Sequence, residues 1–224
     1  MVGDHVDTIL LDGHAVALWR LGRIAFPLFC IVTALHLARG ADPARYVLAL
    51  LVLAVPTQPV YAAAFSYGTT EGSILFTLAA GAALAATLTR APAIVCHAAF
   101  ALGLAIVFLA PQIAKTAVDF GLAGILLPPA ILLTLARPRA FGPWLAALIL
   151  GLNSHGWHPR GEEPAISATY DALTILVGTS ALVAAALLLR GRGRFLPPFA
   201  LQVFYPAHLA ILAALRAAGY GVAA

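Results

Sequence analysis

Long apolar runs, broken only by short stretches carrying Arg, Gly or Pro, recur from one end of this 224-residue chain to the other. A helix needs about 20 mostly apolar residues to cross a bilayer, so runs of this length use up most of the chain. Charged residues make up 10% of the sequence, where an ordinary globular domain carries about a quarter. That is too few to coat a soluble surface, and the mean hydropathy of +0.96 agrees. The pattern predicts an all-α fold: a polytopic transmembrane helical bundle of about eight or nine spans in a single domain over residues 1–224. The expected spans are 1–11, 15–38, 44–66, 72–89, 92–110, 114–136, 141–157, 165–189 and 198–218. The first is truncated: MVGDHVDTILLDG lacks the basic start and cleavage site of a signal peptide and reads as the last half of a helix. Pro56, Pro59, Pro128 and Pro129 fall inside spans, where a membrane bundle tolerates them as kinks.

A net charge of +4 raises the question of nucleic acid, but the arginines stand at the ends of apolar runs, a topological pattern and not a binding stripe. Arg39, Arg45, Arg90, Arg137, Arg139, Arg190, Arg192 and Arg194 fall in alternate loops. The opposite loops hold little more than Lys115 and Arg160, beside Glu71, Glu162 and Glu163. The positive-inside rule makes the Arg-rich loops cytoplasmic and sends the C-terminus outward. One Lys among abundant Ala, Arg and Gly suggests a GC-rich bacterial genome, so the expected location is the bacterial inner membrane with a periplasmic C-terminus. Cys30 and Cys96 sit in apolar runs with no metal or redox spacing and read as buried thiols.

Ionisable groups inside spans are costly, roughly 2.5–3.5 kcal/mol each, and mark candidate sites. Asp4, His5 and Asp7 lie toward the outer end of the first span, and Arg20 and Arg23 in the outer half of the second. Gln58, Tyr61, Asp119, Asn153, His155, Tyr170 and Asp171 occupy outer halves of later spans, and His208 the middle of the last. Residues three or four apart share a helix face, which pairs Asp4 with Asp7 and Arg20 with Arg23. An outward-opening cavity lined by His5, Arg20, Arg23 and His208 is therefore expected. His5 is the candidate proton acceptor, with Asp4 orienting it. An Asp7–Arg20 pair that only fixes packing is the plainer alternative, and Tyr61 and Tyr170 also suit an interfacial aromatic belt. His36 and His158 fall near interfaces, where solvent reaches them; His97 is open to either reading. His155 and His158 have spacing for a metal, but Gly156 and Pro159 argue for a helix end there. No GxSxG, Walker, GxGxxG or HExxH pattern occurs.

MVGDHV, followed by LGRIAFPLFCIVTALHLARG and then by VPTQPVYA, VDFGLAGILL and VFYPAHLAIL in that order, resembles TraX-type proteins, including the TrbP branch. These are conjugative-pilin N-acetyltransferases, similar in turn to wider transmembrane acyltransferases. The resemblance implies transfer of an acetyl group from acetyl-CoA to the N-terminal amine of a pilin-like small membrane protein. Its Asp-His motif falls on Asp4 and His5, its GR-AFP arginine on Arg23, and its C-terminal motif on Tyr205, Pro206 and His208. The expected catalytic set is His5, Asp4, Arg23 and His208, with Tyr205 and the intramembrane polar residues Arg20, Asp119 and Gln58 binding substrate. Family members usually carry a longer apolar stretch before the Asp-His motif. Amine acylation needs a base and a donor for the carbonyl oxyanion. His5 is the base, and Arg23 either stabilises the oxyanion or holds a CoA phosphate. A thioester is already activated, so no metal is demanded.

Two other classes compete. A non-catalytic membrane subunit would pack into a larger membrane complex through small residues such as the Gly81–Ala86 stretch. A transporter or proton-linked channel would also place Asp, Arg and His inside spans, but the sequence shows no inverted repeat.

Overall fold

The computed structural model describes residues 1–65, 71–110, 118–154, 173–181 and 198–221, which form a helical bundle. Its helices are α1 (Val2–Leu10), α2 (Val16–Arg23), α3 (Ala25–Ala38), α4 (Pro43–Ala64), α5 (Ile74–Leu88), α6 (Ala93–Leu109), α7 (Gly121–Ala136), α8 (Pro138–Ser154) and α9 (Pro198–Ala217). Residues 173–181 are helical as well. Ile24, between α2 and α3, keeps helical dihedrals (φ −64°, ψ −28°), so Ala17–Ala38 runs as one apolar rod.

Local signals explain the helix ends. Asp42 caps α4 by accepting the Ala44 amide at 2.9 Å, with Pro43 in the first turn where its missing N–H costs nothing. α4 and α7 both run on through their internal proline pairs. In α4 the Thr57 hydroxyl, next to Pro56, donates to the Leu53 carbonyl at 2.6 Å.

α7 lies at the centre, packed on α3, α5 and α8. Its Leu126–Leu132 stretch is buried all round, as a helix with no polar face requires. α5 meets it at Gly81, where an added Cβ would stand 2.7 Å from Pro128 and 3.0 Å from the Ile125 carbonyl oxygen. Small residues here let the two backbones approach, as in membrane bundles. α4 packs on α5 and α9, while α1 packs on α2 and α9, so the short first helix joins the early and late parts of the chain.

The outside is apolar. Leu48, Val52 and Val55, on one face of α4, are 61–63% exposed, and Ile94, Leu102 and Leu109 of α6 are exposed too. Such a face suits lipid. Ala17–Ala38 and Pro43–Ala64 are long and apolar enough to cross a membrane.

Among the described residues the helices fall on the expected spans, of which 165–189 is described only over 173–181, with one correction. Residues 114–136 were expected as one span; the helix begins at Gly121, and Asp119 stands before it. Val118 bridges Gly72, the Asp119 amide donates to the Gly72 carbonyl at 2.8 Å, and Phe120 takes a left-handed conformation (φ 61°). Lys115, the 155–172 stretch with His155, His158, Arg160, Glu162, Glu163, Tyr170 and Asp171, and Arg190, Arg192 and Arg194 lie outside the described residues. So does the side chain of Asn153.

Candidate active site

Close backbone approach seats the first helix. A Cβ on Gly22 would come within 2.1 Å of the Asp4 Cβ, and one on Gly3 within 2.9 Å of the Leu18 carbonyl oxygen. The glycines in VGDH and LGRI therefore let α1 lie directly on α2. Asp7 locks the turn between them. It is fully buried and accepts the Ala15 amide at 2.6 Å through Oδ1, while its carbonyl takes the amides of Leu11 and Gly13. The Asp7 Oδ1 thus satisfies a backbone N–H left open where α2 begins.

With α1 fixed, its other face meets α9. His5 Nδ1 lies 2.8 Å from His208 Nε2, the ring planes are nearly parallel at 3°, and both residues are under 10% exposed. The tautomers follow from the partners. His208 Nδ1 is 2.8 Å from the Phe204 carbonyl oxygen, which only accepts, so Nδ1 carries the proton. A neutral His208 then has a bare Nε2, and His5 must donate from Nδ1. The lone pair of His5 is left on Nε2. The expected orienting partner, Asp4, is replaced in that role by His208, because neighbours one residue apart on a helix do not face each other. Phe65 and Tyr205 pack edge-on against His5, with ring centroids 5.1 and 6.4 Å away.

Arg23, at the end of α2, lays its guanidinium over the rings of Trp19 and Phe120, 4.7 and 5.0 Å from their centroids. Phe120 reaches it through its left-handed backbone, costly for a bulky side chain, and its ring stacks on Phe26 at 4.0 Å. Arg23 acts electrostatically on His5, Asp4 and Asp119. Its Nε is buried and has no hydrogen-bond partner. Arg20, one turn earlier, is half-buried.

The remaining calls divide. Tyr205 packs on both imidazoles, and its hydroxyl is buried and unpartnered. Gln58, read as a substrate ligand, clamps backbone instead: its amide donates to the Glu71 carbonyl at 2.6 Å and its oxygen accepts the Ser73 amide at 3.0 Å. Tyr61 is buried against Phe65 and not in an interfacial belt. His97 accepts the Trp144 indole N–H at 2.8 Å in a packed aromatic cluster with Phe141. His36 is exposed beside Tyr46. Sequence reasoning missed Ser73, Phe65, Trp19 and Phe120. Ser73 opens an apolar run, which marks a helix start but not an unsatisfied hydroxyl.

Arg23 and Ser73 each stand about 22 Å, at 1.5 Å per residue, from the far ends of their helical rods beside Arg39 and Arg90. The polar cluster thus occupies the end of the bundle opposite those arginines.

Neither the curated proteins nor the solved structures contain a match to this chain. The family model described as TraX protein matches residues 1–216, nearly the whole length, and the chain belongs to that family.

Proposed function

We propose that this protein is a multi-pass enzyme of the bacterial inner membrane that moves an acetyl group from acetyl-CoA to the N-terminal amine of a pilin-like small membrane protein. The single observation that carries this reading is the buried His5–His208 pair, whose proton count leaves one imidazole nitrogen unprotonated; the buried Nε of Arg23 is unpartnered as well. An amine attacks a thioester only after losing its proton, and a neutral imidazole accepts it. His5 Nε2 is the base. His208 holds the tautomer and shares the positive charge that develops, and Asp4 and Asp119 are counter-charges for the incoming ammonium. Arg23 offers its Nε–H to an amide carbonyl of donor or acceptor. Gln58 acts through Ser73, and Arg20 lies on the path of the acceptor. Tyr205 contacts the reacting group.

The Arg-rich loops face the cytoplasm, where acetyl-CoA is present, and attract its phosphates. The acceptor enters from the periplasmic side, where the C-terminus lies. No nucleic acid takes part.

Co-expression of the full chain with a pilin-like acceptor tests this. Intact-mass analysis should show one added acetyl group on the acceptor, lost in His5→Ala while the protein stays in the membrane. A base contributes about 10²–10⁴-fold, so an acceptor equally acetylated by His5→Ala sinks the reading.

A further inference from the structure

We infer that the N-terminus of α5, with the hydroxyl groups of Ser73 and Tyr205, forms the site that binds the acyl carbonyl oxygen as it becomes an oxyanion. The inference rests on the acyl-transfer reading above and assigns the oxyanion to residues other than Arg23.

Three independent features meet there. The Ile74 and Leu75 N–H groups that open α5 have no intrahelical acceptor, while the Phe76 N–H already donates to the Ser73 carbonyl at 2.9 Å, and the 15-residue helix directs its positive dipole end at the same point. Ser73 is the N-cap residue, yet its side chain makes no capping bond, and its hydroxyl is fully buried without a partner. A cap serine normally accepts an N–H from the first turn, so this hydroxyl has been kept free. Tyr205 comes from α9. It is 6% exposed, its hydroxyl faces Ser73 and the Ile74 backbone, and no hydrogen bond is completed.

Buried polar atoms without partners are rare, because each costs about 1–3 kcal/mol. Here two face each other beside a helix N-terminus, which is the arrangement an oxyanion requires. Tyr205 also joins this point to the base: its ring centroid is 6.4 Å from that of His5 and 5.6 Å from that of His208. Arg23 is less suited, since its guanidinium is flattened between two rings. The Gln58 clamp fixes the site by holding the Ser73 amide and the Glu71 carbonyl to α4.

The step balances as follows. The amine nitrogen attacks the thioester carbonyl carbon, and the carbonyl π pair moves onto oxygen between Tyr205, Ser73 and the α5 N–H groups. The amine proton passes to His5 Nε2. Collapse restores the carbonyl, breaks the carbon–sulfur bond and releases CoA thiolate, which takes the proton back from His5.

The test is steady-state acetylation of a pilin-like peptide by the full-length protein in detergent, with acetyl-CoA as donor. Tyr205→Phe keeps the ring packing and should lower kcat about 10²-fold with KM for acetyl-CoA little changed, the signature of a donor used only in the transition state. The pH profile, set by His5, should stay in place. Ser73→Ala, which removes one buried oxygen, should act in the same direction and decides the matter where Tyr205→Phe does not fold. Transfer by the wild type together with undiminished kcat in both variants overturns the oxyanion site and leaves acyl transfer standing. No transfer by the wild type overturns both.

Discussion

Replacing His208 separates its role from that of His5. In His208→Phe the ring stack is kept, but the acceptor for the His5 Nδ1 proton, 2.8 Å away, is gone. Two effects follow. A buried donor left unsatisfied costs about 1–3 kcal/mol of stability. In the transition state, where His5 becomes an imidazolium, the lost hydrogen bond is charge-assisted and worth about 1.5–3 kcal/mol. The neutral bond of about 1 kcal/mol in the ground state is lost as well, so only the difference, about 0.5–2 kcal/mol, bears on kcat, which at about 1.4 kcal/mol per tenfold should fall by roughly 2- to 30-fold, less than the full loss of a base. His208→Gln places an amide oxygen near the position of the imidazole Nε2 and should recover most of that loss. The assay is acetyl transfer to a pilin-like peptide at several pH values, with ¹⁵N NMR of histidine-labelled protein as a readout independent of activity. Wild type should show His5 protonated on Nδ1, and His208→Phe should release it to both tautomers. Equal activity of His208→Phe and wild type, or a His5 protonated on Nε2 in the wild type, would refute the proton count.

Other outcomes follow from single contacts. Gly22→Ala sets a methyl group 2.1 Å from the Asp4 Cβ and 2.5 Å from its backbone nitrogen, so α1 must move off α2. A loss of about 1–3 kcal/mol is expected, read as a lower midpoint of thermal unfolding in detergent. Gln58→Ala removes two hydrogen bonds to backbone and should speed hydrogen exchange at residues 71–73 while α4 stays protected. Arg23→Lys keeps the charge but loses the flat guanidinium between Trp19 and Phe120, and should reduce transfer at least about tenfold; unchanged rates would mean that charge alone matters there.

The helical bundle was legible in the chain because lipid demands apolar length and helices satisfy their own backbone, so each span announces itself without reference to its neighbours. His5, Arg23 and His208 stood out for the same reason: ionisable groups are conspicuous in apolar runs. Pairings were not legible. Asp4 precedes His5 in sequence and looked like its partner, but helix geometry turns adjacent side chains apart and leaves His5 to a residue 203 positions away. Gln58 looked like a ligand because nothing local shows that residues 71–73 pass beside it.

Sequence alone therefore determined the all-helical architecture, the rough limits of the spans and the stock of titratable groups, since each depends on chemistry within one or two turns. Only the tertiary structure decided which nitrogen of His5 is bare, that Ser73 and Tyr205 face each other, and that Phe120 accepts a left-handed backbone beneath Arg23. Those facts depend on α1 lying against α9 and on the 71–73 and 118–120 segments meeting over α5, contacts between distant parts of the chain that no local pattern encodes.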